Sequence, residues 1–207
     1  MPSAALATRL GVQAPSVTGM LQKLAAQRPA LVVYEKHRGA RLTAAGKRRA
    51  WDLVRRHRLL ELFLHDILGY SWDEVHEEAE RLEHFISERF EARVATMLGD
   101  PETDPHGHAI PQKHASGVFP AAVPLAEWGL AVPARISSVA DRDAAVLREL
   151  ERLGLKPGTG VVVEQRNASG SLLVRVPGRE GPLRLSRELA QAVWVAPCAE
   201  GGRYWRL

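Results

Sequence analysis

The sequence predicts a mainly α-helical chain that closes with a small β-barrel. Three observations predict it. Apolar residues recur at helical spacing through most of residues 3–98, short β-type runs between Gly- and Pro-containing turns fill the last third, and charge is unevenly distributed. The 207 residues have a net charge of +4, but residues 1–58 hold 12 Lys/Arg against 2 Asp/Glu (+10) and residues 59–105 hold 3 against 13 (−10). Residues 106–207, with 13 against 9, return to +4. A basic head suits phosphate contact, and an acidic middle suits cation binding. The composition, 45% hydrophobic and 25% charged, excludes disorder and collagen. No window approaches the roughly 18–20 apolar residues of a membrane span, and no signal-peptide pattern opens the chain, so a cytoplasmic location without membrane partners is expected. The lone Cys198 excludes an intramolecular disulfide, so a metal site must draw mainly on His, Asp and Glu.

Ser3 to Leu10 reads as a short helix broken by Gly11. A second helical pattern starts near Pro15, with Val17, Met20, Leu21 and Leu24 on one face. That helix turns Ser16, Thr18, Gly19, Gln22 and Lys23 away from its apolar stripe, with Gln13 and Pro15 at its start, where they can reach base edges and phosphates. Two short strands, Leu31 to Tyr34 and Ala40 to Thr43, flank a basic tip containing Lys36, His37 and Arg38. This is a wing suited to the DNA backbone or minor groove. Residues 1–50 therefore read as a winged helix-turn-helix. Such domains normally have one more helix ahead of this pair, so a truncated start or a substitute cover is expected.

Trp51 to Leu68 reads as one amphipathic helix, with Leu53, Val54, Leu60, Leu64, Ile67 and Leu68 on its apolar side. Ser71 to Glu74 forms an S-x-x-E capping box opening a helix that runs to about Leu98. At about 100° per residue, His76, Glu80, Glu83 and His84 share a stripe about 100° wide. His57 and Glu61, four apart on the preceding helix, face the same way, and antiparallel packing would bring them toward His76. Oxygen and imidazole donors without sulfur suit Mn(II), Fe(II), Co(II) or Zn(II), with the harder end favoured. Seven of the eight histidines lie between His57 and His114, which argues against scattered surface residues.

Ala14 to Thr18 with Gln22 Lys23 Leu24, the wing Tyr34 to Gly39, Arg56 to Glu61, and above all Val75 to His84 give the chain its resemblance to a known family. The chain resembles the diphtheria-toxin-repressor family of metal-dependent transcriptional regulators, in its manganese-responsive branch. The resemblance implies that Glu80, Glu83 and His84 bind the regulatory metal, completed from the first helix. It implies that His57, Glu61 and His76 form an ancillary site, and in some manganese-type members the position of His57 joins the regulatory centre. Iron-type members carry Cys at the position of Glu80, so Mn(II) is expected, with Fe(II), Co(II), Zn(II) and Cd(II) as alternatives. Some members carry a Cys-Pro-His segment where this chain has Asp104 Pro105 His106, which makes Asp104 and His106 possible ligands. The resemblance also implies a helical metal-binding and dimerisation domain over 51–116, a homodimer, and repression through a double-stranded DNA operator. Leu62, Phe63, Phe85 and Phe90 are the candidate dimer face.

Residues 117–133 lie within a Pro-rich stretch and read as a linker. Ala134–Val139 reads as a strand, Ala144–Leu153 as a helix ended by Gly154, and Val161–Gln165, Leu172–Val176 and Val193–Ala196 as three more strands. Residues 134–207 thus predict a small β-barrel, which resembles the SH3-like, FeoA-type domain that ends many members of the family. Family members can donate a ligand from this domain, and Asp141 and Asp143 lie near the matching segment. A metalloenzyme is the rival from another class, but no HExxH pattern, phosphate loop or recognisable nucleophile accompanies the cluster, so no enzymatic activity is expected. A DNA-binding protein with vestigial metal residues is the other rival.

Overall fold

The computed structural model describes residues 1–36, 38–112 and 122–198. The chain divides into two units, with the division falling between Arg55 and Arg56 and the segment from Pro111 grouped with the first. In the first unit, α1 (Ser3–Leu10) ends at Gly11, whose left-handed φ of 63° suits a helix stop, and α2 (Ala14–Ala26) carries Pro15 in its first turn. A hairpin follows, β1 (Val32–Glu35) against β2 (Gly39–Leu42), in antiparallel register from Val32 opposite Leu42 to Glu35 opposite Gly39. Ala7, Val17, Leu21 and Val32 form the small core. Gly39 is required where it stands: its φ is 94°, and a Cβ there would sit 2.1 Å from the Met1 carbonyl oxygen.

The next helix, α3 (Ala44–Asp66), starts earlier than the apolar periodicity alone indicates. Thr43 explains the start. Its hydroxyl accepts the Gly46 N–H at 3.0 Å and donates to the Ala30 carbonyl at 2.6 Å. The helix stops at Asp66, so Ile67 and Leu68, expected on its apolar side, are exposed. The single helix expected to run to Leu98 is two, α4 (Val75–Leu82) and α5 (Glu88–Met97). Ser87 makes the break: its backbone is extended and its side chain accepts the Phe90 N–H at 3.2 Å, starting a new helix. Two apolar clusters flank α3, one of Leu60, Leu64, Val75 and Ala79 and one of Leu59, Val94, Ala95 and Ile110. Among the described residues no helix is long and apolar enough to cross a membrane.

The C-terminal sheet has six strands in the order β3 (Val123–Pro124), β8 (Val193–Pro197), β4 (Pro133–Val139), β5 (Gly160–Arg166), β6 (Leu172–Arg175), β7 (Leu183–Leu185), with neighbours antiparallel. It is an open sheet with β3 and β7 at its edges, so the expected closed barrel does not form among the described residues, and the fold is mixed α and β rather than mainly α. The stretch expected as linker also needs correction. From Val123 it is part of the sheet, and Leu125 is fully buried in the core. Two further elements also escaped the sequence reading: β7, whose Leu183 and Leu185 are buried in a run of three residues, and α7 (Arg187–Gln191), which is one short turn capped by Ser186. α6 (Ala144–Leu153) lays Leu147 and Leu150 into the core, bounded by the Asp143 cap and by Gly154 at φ 74°.

Candidate metal centre and nucleic-acid interface

His57 and Glu61 lie one turn apart on α3, and His76 lies in the first turn of α4. Their donor atoms meet. His57 Nε2 is 3.0 Å from Glu61 Oε1 and 3.1 Å from His76 Nδ1, and His76 Nδ1 is 3.0 Å from Glu61 Oε1. Ligands about 2.1 Å from one octahedral cation stand about 3.0 Å apart along each edge, so this triangle has the dimensions of a coordination face. Without a cation, protons must hold it together. Burial opposes charge on His57, but the hydrogen bonds and charges of Glu61 and Glu83 outweigh it and raise its pKa to about 9. Burial likewise opposes charge on Glu61, yet hydrogen bonds from His57 and His76 hold its carboxyl well below the usual range. The Glu61 hydrogen bond, against partial burial, raises His76.

A second group shares Glu61. Donor atoms of Glu61, Asp104 and His106 lie within 4.8 Å of one another, and all three residues are buried. The turn that carries Asp104 and His106 is organised by Asp104, whose Oδ1 accepts the N–H groups of His106 and His108, both at 2.9 Å. Gly107, at φ 87°, lets that turn pass the Ser137 carbonyl oxygen, 2.0 Å from where a Cβ would stand. His106 Nε2 faces the Trp72 carbonyl oxygen at 2.9 Å, so Nε2 bears a proton and Nδ1 is the nitrogen left for a cation. That Nδ1 stands 3.8 Å from Glu61 Oε1, with no hydrogen-bond partner. Glu61 Oε2, Asp104 Oδ2 and His108 Nδ1 are equally buried without one. Acceptors gathered in this way are costly unless a cation joins them, and a divalent ion fits the donor set.

The remaining sequence-expected donors divide. Glu83 is drawn in, with Oε2 2.8 Å from His57 Nδ1. Glu80 and His84 stay on the surface, with side chains 63% and 61% exposed, touching His76 at 3.6 Å and Glu83 at 3.4 Å respectively. Asp141 reaches the cluster, 3.8 Å from His76 Nδ1 and 3.5 Å from His108 Nδ1. Asp143 does not. Its Oδ1 caps α6 by accepting the N–H groups of Ala145 and Val146, and the structure does not bring it to the other donors. Sequence reasoning missed His108 and Arg58. His108 Nδ1 is 3.3 Å from Asp104 Oδ2, a spacing of four residues that was available to be read, and Arg58 Nε is 3.6 Å from the same oxygen.

In the first unit, Gln13 at the N-cap of α2 and Pro15, Ser16, Gln22 and Lys23 on it are exposed, while Thr18 and Gly19 are half-buried. Thr18 and Gln22 line a groove of about 540 Å³ together with Pro2, Ser3, Ala4, Tyr34, Lys36 and Gly39. The helix face and one wing cation thus border one concavity. Arg38 is exposed and pairs with Glu35 at 3.4 Å, a surface contact weak enough to exchange for a phosphate. His37 lies outside the described residues.

Residues 43–112 match the metal binding and dimerisation domain of iron dependent repressors, and residues 123–197 match the FeoA domain. The chain is 32% identical over 204 residues to the iron-dependent repressor IdeR of Mycobacterium leprae, covering 93% of this chain and 87% of that protein. It is 30% identical to the diphtheria toxin repressor of Corynebacterium glutamicum, covering 93% and 86%. Among solved structures, a manganese-dependent transcriptional repressor in complex with manganese is 36% identical with a TM-score of 0.86, covering 95% of this chain and 90% of that one. ScaR with bound Cd2+ is 33% identical with a TM-score of 0.79, covering 96% and 92%.

Proposed function

The chain belongs to the diphtheria-toxin-repressor family of metal-dependent transcriptional repressors, which are not enzymes, and on that premise we propose that it is a Mn(II)-dependent repressor acting as a homodimer on a DNA operator. The observation that carries the reading is the set of buried side-chain atoms on Glu61, Asp104 and His106 that have no hydrogen-bond partner. Glu61, Asp104 and His106, with Asp141, would hold one ion, and His57 and His76 with Glu61 a second. Glu80, Glu83 and His84 would serve the regulatory ion. A divalent cation bound there neutralises the carboxylates and replaces the protons that otherwise bridge them. Oxygen-rich donors without thiolate favour Mn(II) over Fe(II), although iron-dependent relatives match as well.

In this reading Ser16, Thr18, Gln22 and Lys23 meet the operator's major groove, and Lys36 and Arg38 meet its backbone. The cation acts by population shift: it binds the DNA-competent arrangement more tightly, and each tenfold preference contributes about 1.4 kcal/mol. Gel-shift titrations on the operator with Mn(II), Fe(II) and Zn(II), each reversed by a chelator, test the proposal. Mn(II) is expected to activate at the lowest free concentration. Activation by Fe(II) alone at physiological concentrations would overturn the assignment of manganese, and operator binding indifferent to chelation would overturn the switch.

A further inference from the structure

We propose that Trp72 is a positioning residue that ties the core of the C-terminal sheet to the ligand atom of His106. The proposal rests on the reading of His106 as a metal ligand. Trp72 lies in the turn ahead of α4 and donates nothing to a cation. Its place in the fold is nevertheless particular.

Two hydrogen bonds run in opposite directions between the same two short segments. The Trp72 indole N–H donates to the Pro105 carbonyl at 3.0 Å, and the His106 Nε2–H donates to the Trp72 carbonyl at 2.9 Å. The two rings lie against each other, with centroids 5.4 Å apart and planes tilted by 32°. Neither segment can rotate without breaking both bonds and the ring contact. The other side of the turn is held by the C-terminal domain. Trp72 is 3% exposed and packs in the same core as Leu125, Leu150 and Leu155. Lys156 Nζ stands 5.4 Å from its ring centroid, and the neighbouring Asp73 accepts from Arg148 of α6 at 2.6 Å.

The consequence is chemical. A ring nitrogen that faces a carbonyl oxygen must carry the proton, because the alternative sets two lone pairs against each other. The Trp72 carbonyl therefore fixes Nε2 as a protonated nitrogen and turns Nδ1 toward Glu61 before any cation arrives. This outer contact keeps the ligand ready and makes the state of the C-terminal domain felt at the metal.

The full chain labelled with 15N-histidine tests this by NMR, with His106 assigned from the signals lost in His106→Gln. In the metal-free wild type His106 should be the Nε2–H tautomer, and Cd(II) should shift its Nδ1 resonance. Trp72→Leu should populate both tautomers and weaken Cd(II) binding at that nitrogen by about 10–100-fold, with Trp72→Phe between the two chains. A wild-type His106 bare at Nε2 and protonated on Nδ1 overturns the proposal, and this readout decides it even if Trp72→Leu fails to fold. A folded Trp72→Leu chain with unchanged tautomer and Cd(II) affinity overturns the role of Trp72 alone. Cd(II) that leaves a correctly protonated His106 unshifted overturns the ligand assignment and the proposal with it.

Discussion

On one side of His57, Glu61 and His106 are 0% exposed and their acceptor atoms converge; on the other, Glu80 and His84 stand in solvent, each within reach of a single neighbour. The same residue types thus occur in two physical states. The buried half has already lost its side-chain freedom during folding, so a cation arriving there meets a formed set of donors. The exposed half must order a Glu and a His as it binds, at a cost of about 1–2 kcal/mol for a long side chain. We expect two affinity classes, the buried one filling first. The exposed half is then the part of the molecule whose order depends on metal concentration, as a sensor requires.

The most severe way to break the comparison is Glu61→Gln, because Glu61 belongs to both donor groups. Removing a buried charge from its partners costs about 3–5 kcal/mol, so metal affinity should fall on the order of 100-fold or more, measured by competition with a fluorescent chelator. A loss below tenfold would mean that the two groups do not share it. Next in size, Glu83→Gln and His84→Ala should each remove the Mn(II)-dependent gel shift, with the thermal midpoint near wild type for His84→Ala. The tight class should survive in His84→Ala, whose side chain lies on the surface. Retention of the full shift by both variants would refute their assignment.

A smaller effect is set by pH. His57 holds its proton up to about pH 9 in the metal-free chain, and the cation needs it neutral, so acidification favours the metal-free form. Between pH 6 and 8 the affinity should rise about tenfold per unit for each proton released. Calorimetry in two buffers of different ionisation enthalpy counts those protons, and a count of zero would contradict the bridging-proton picture. Smallest is Lys36→Ala at the wing. It should weaken operator binding a few-fold irrespective of sequence and reduce the salt slope by about one, read from gel shifts at several salt concentrations.

Much of this was legible because it is local. The end of α6 followed from a terminating glycine, and the pairing of His57 with Glu61 followed from a spacing of four on a helix. The break at Ser87 was less visible, since a helix-compatible run surrounds it and one side-chain hydrogen bond decides. Which of Asp141 and Asp143 reaches the cluster was not legible at all. Two residues apart with the same side chain, one reaches His76 and the other caps α6, and only the path of the strand before them separates the two.

The sequence by itself determined the order of most elements, the segregation of a basic head from an acidic middle, and the candidate donor residues, because periodicity, capping and charge act over a few residues. Tertiary structure decided which donors are buried together, that Glu61 serves two groups, that the sheet stays open, and that a tryptophan carbonyl fixes a proton on His106 Nε2. Those outcomes depend on contacts between residues tens of positions apart. Burial and hydrogen-bond geometry there are properties of the packed chain, and no local pattern encodes them.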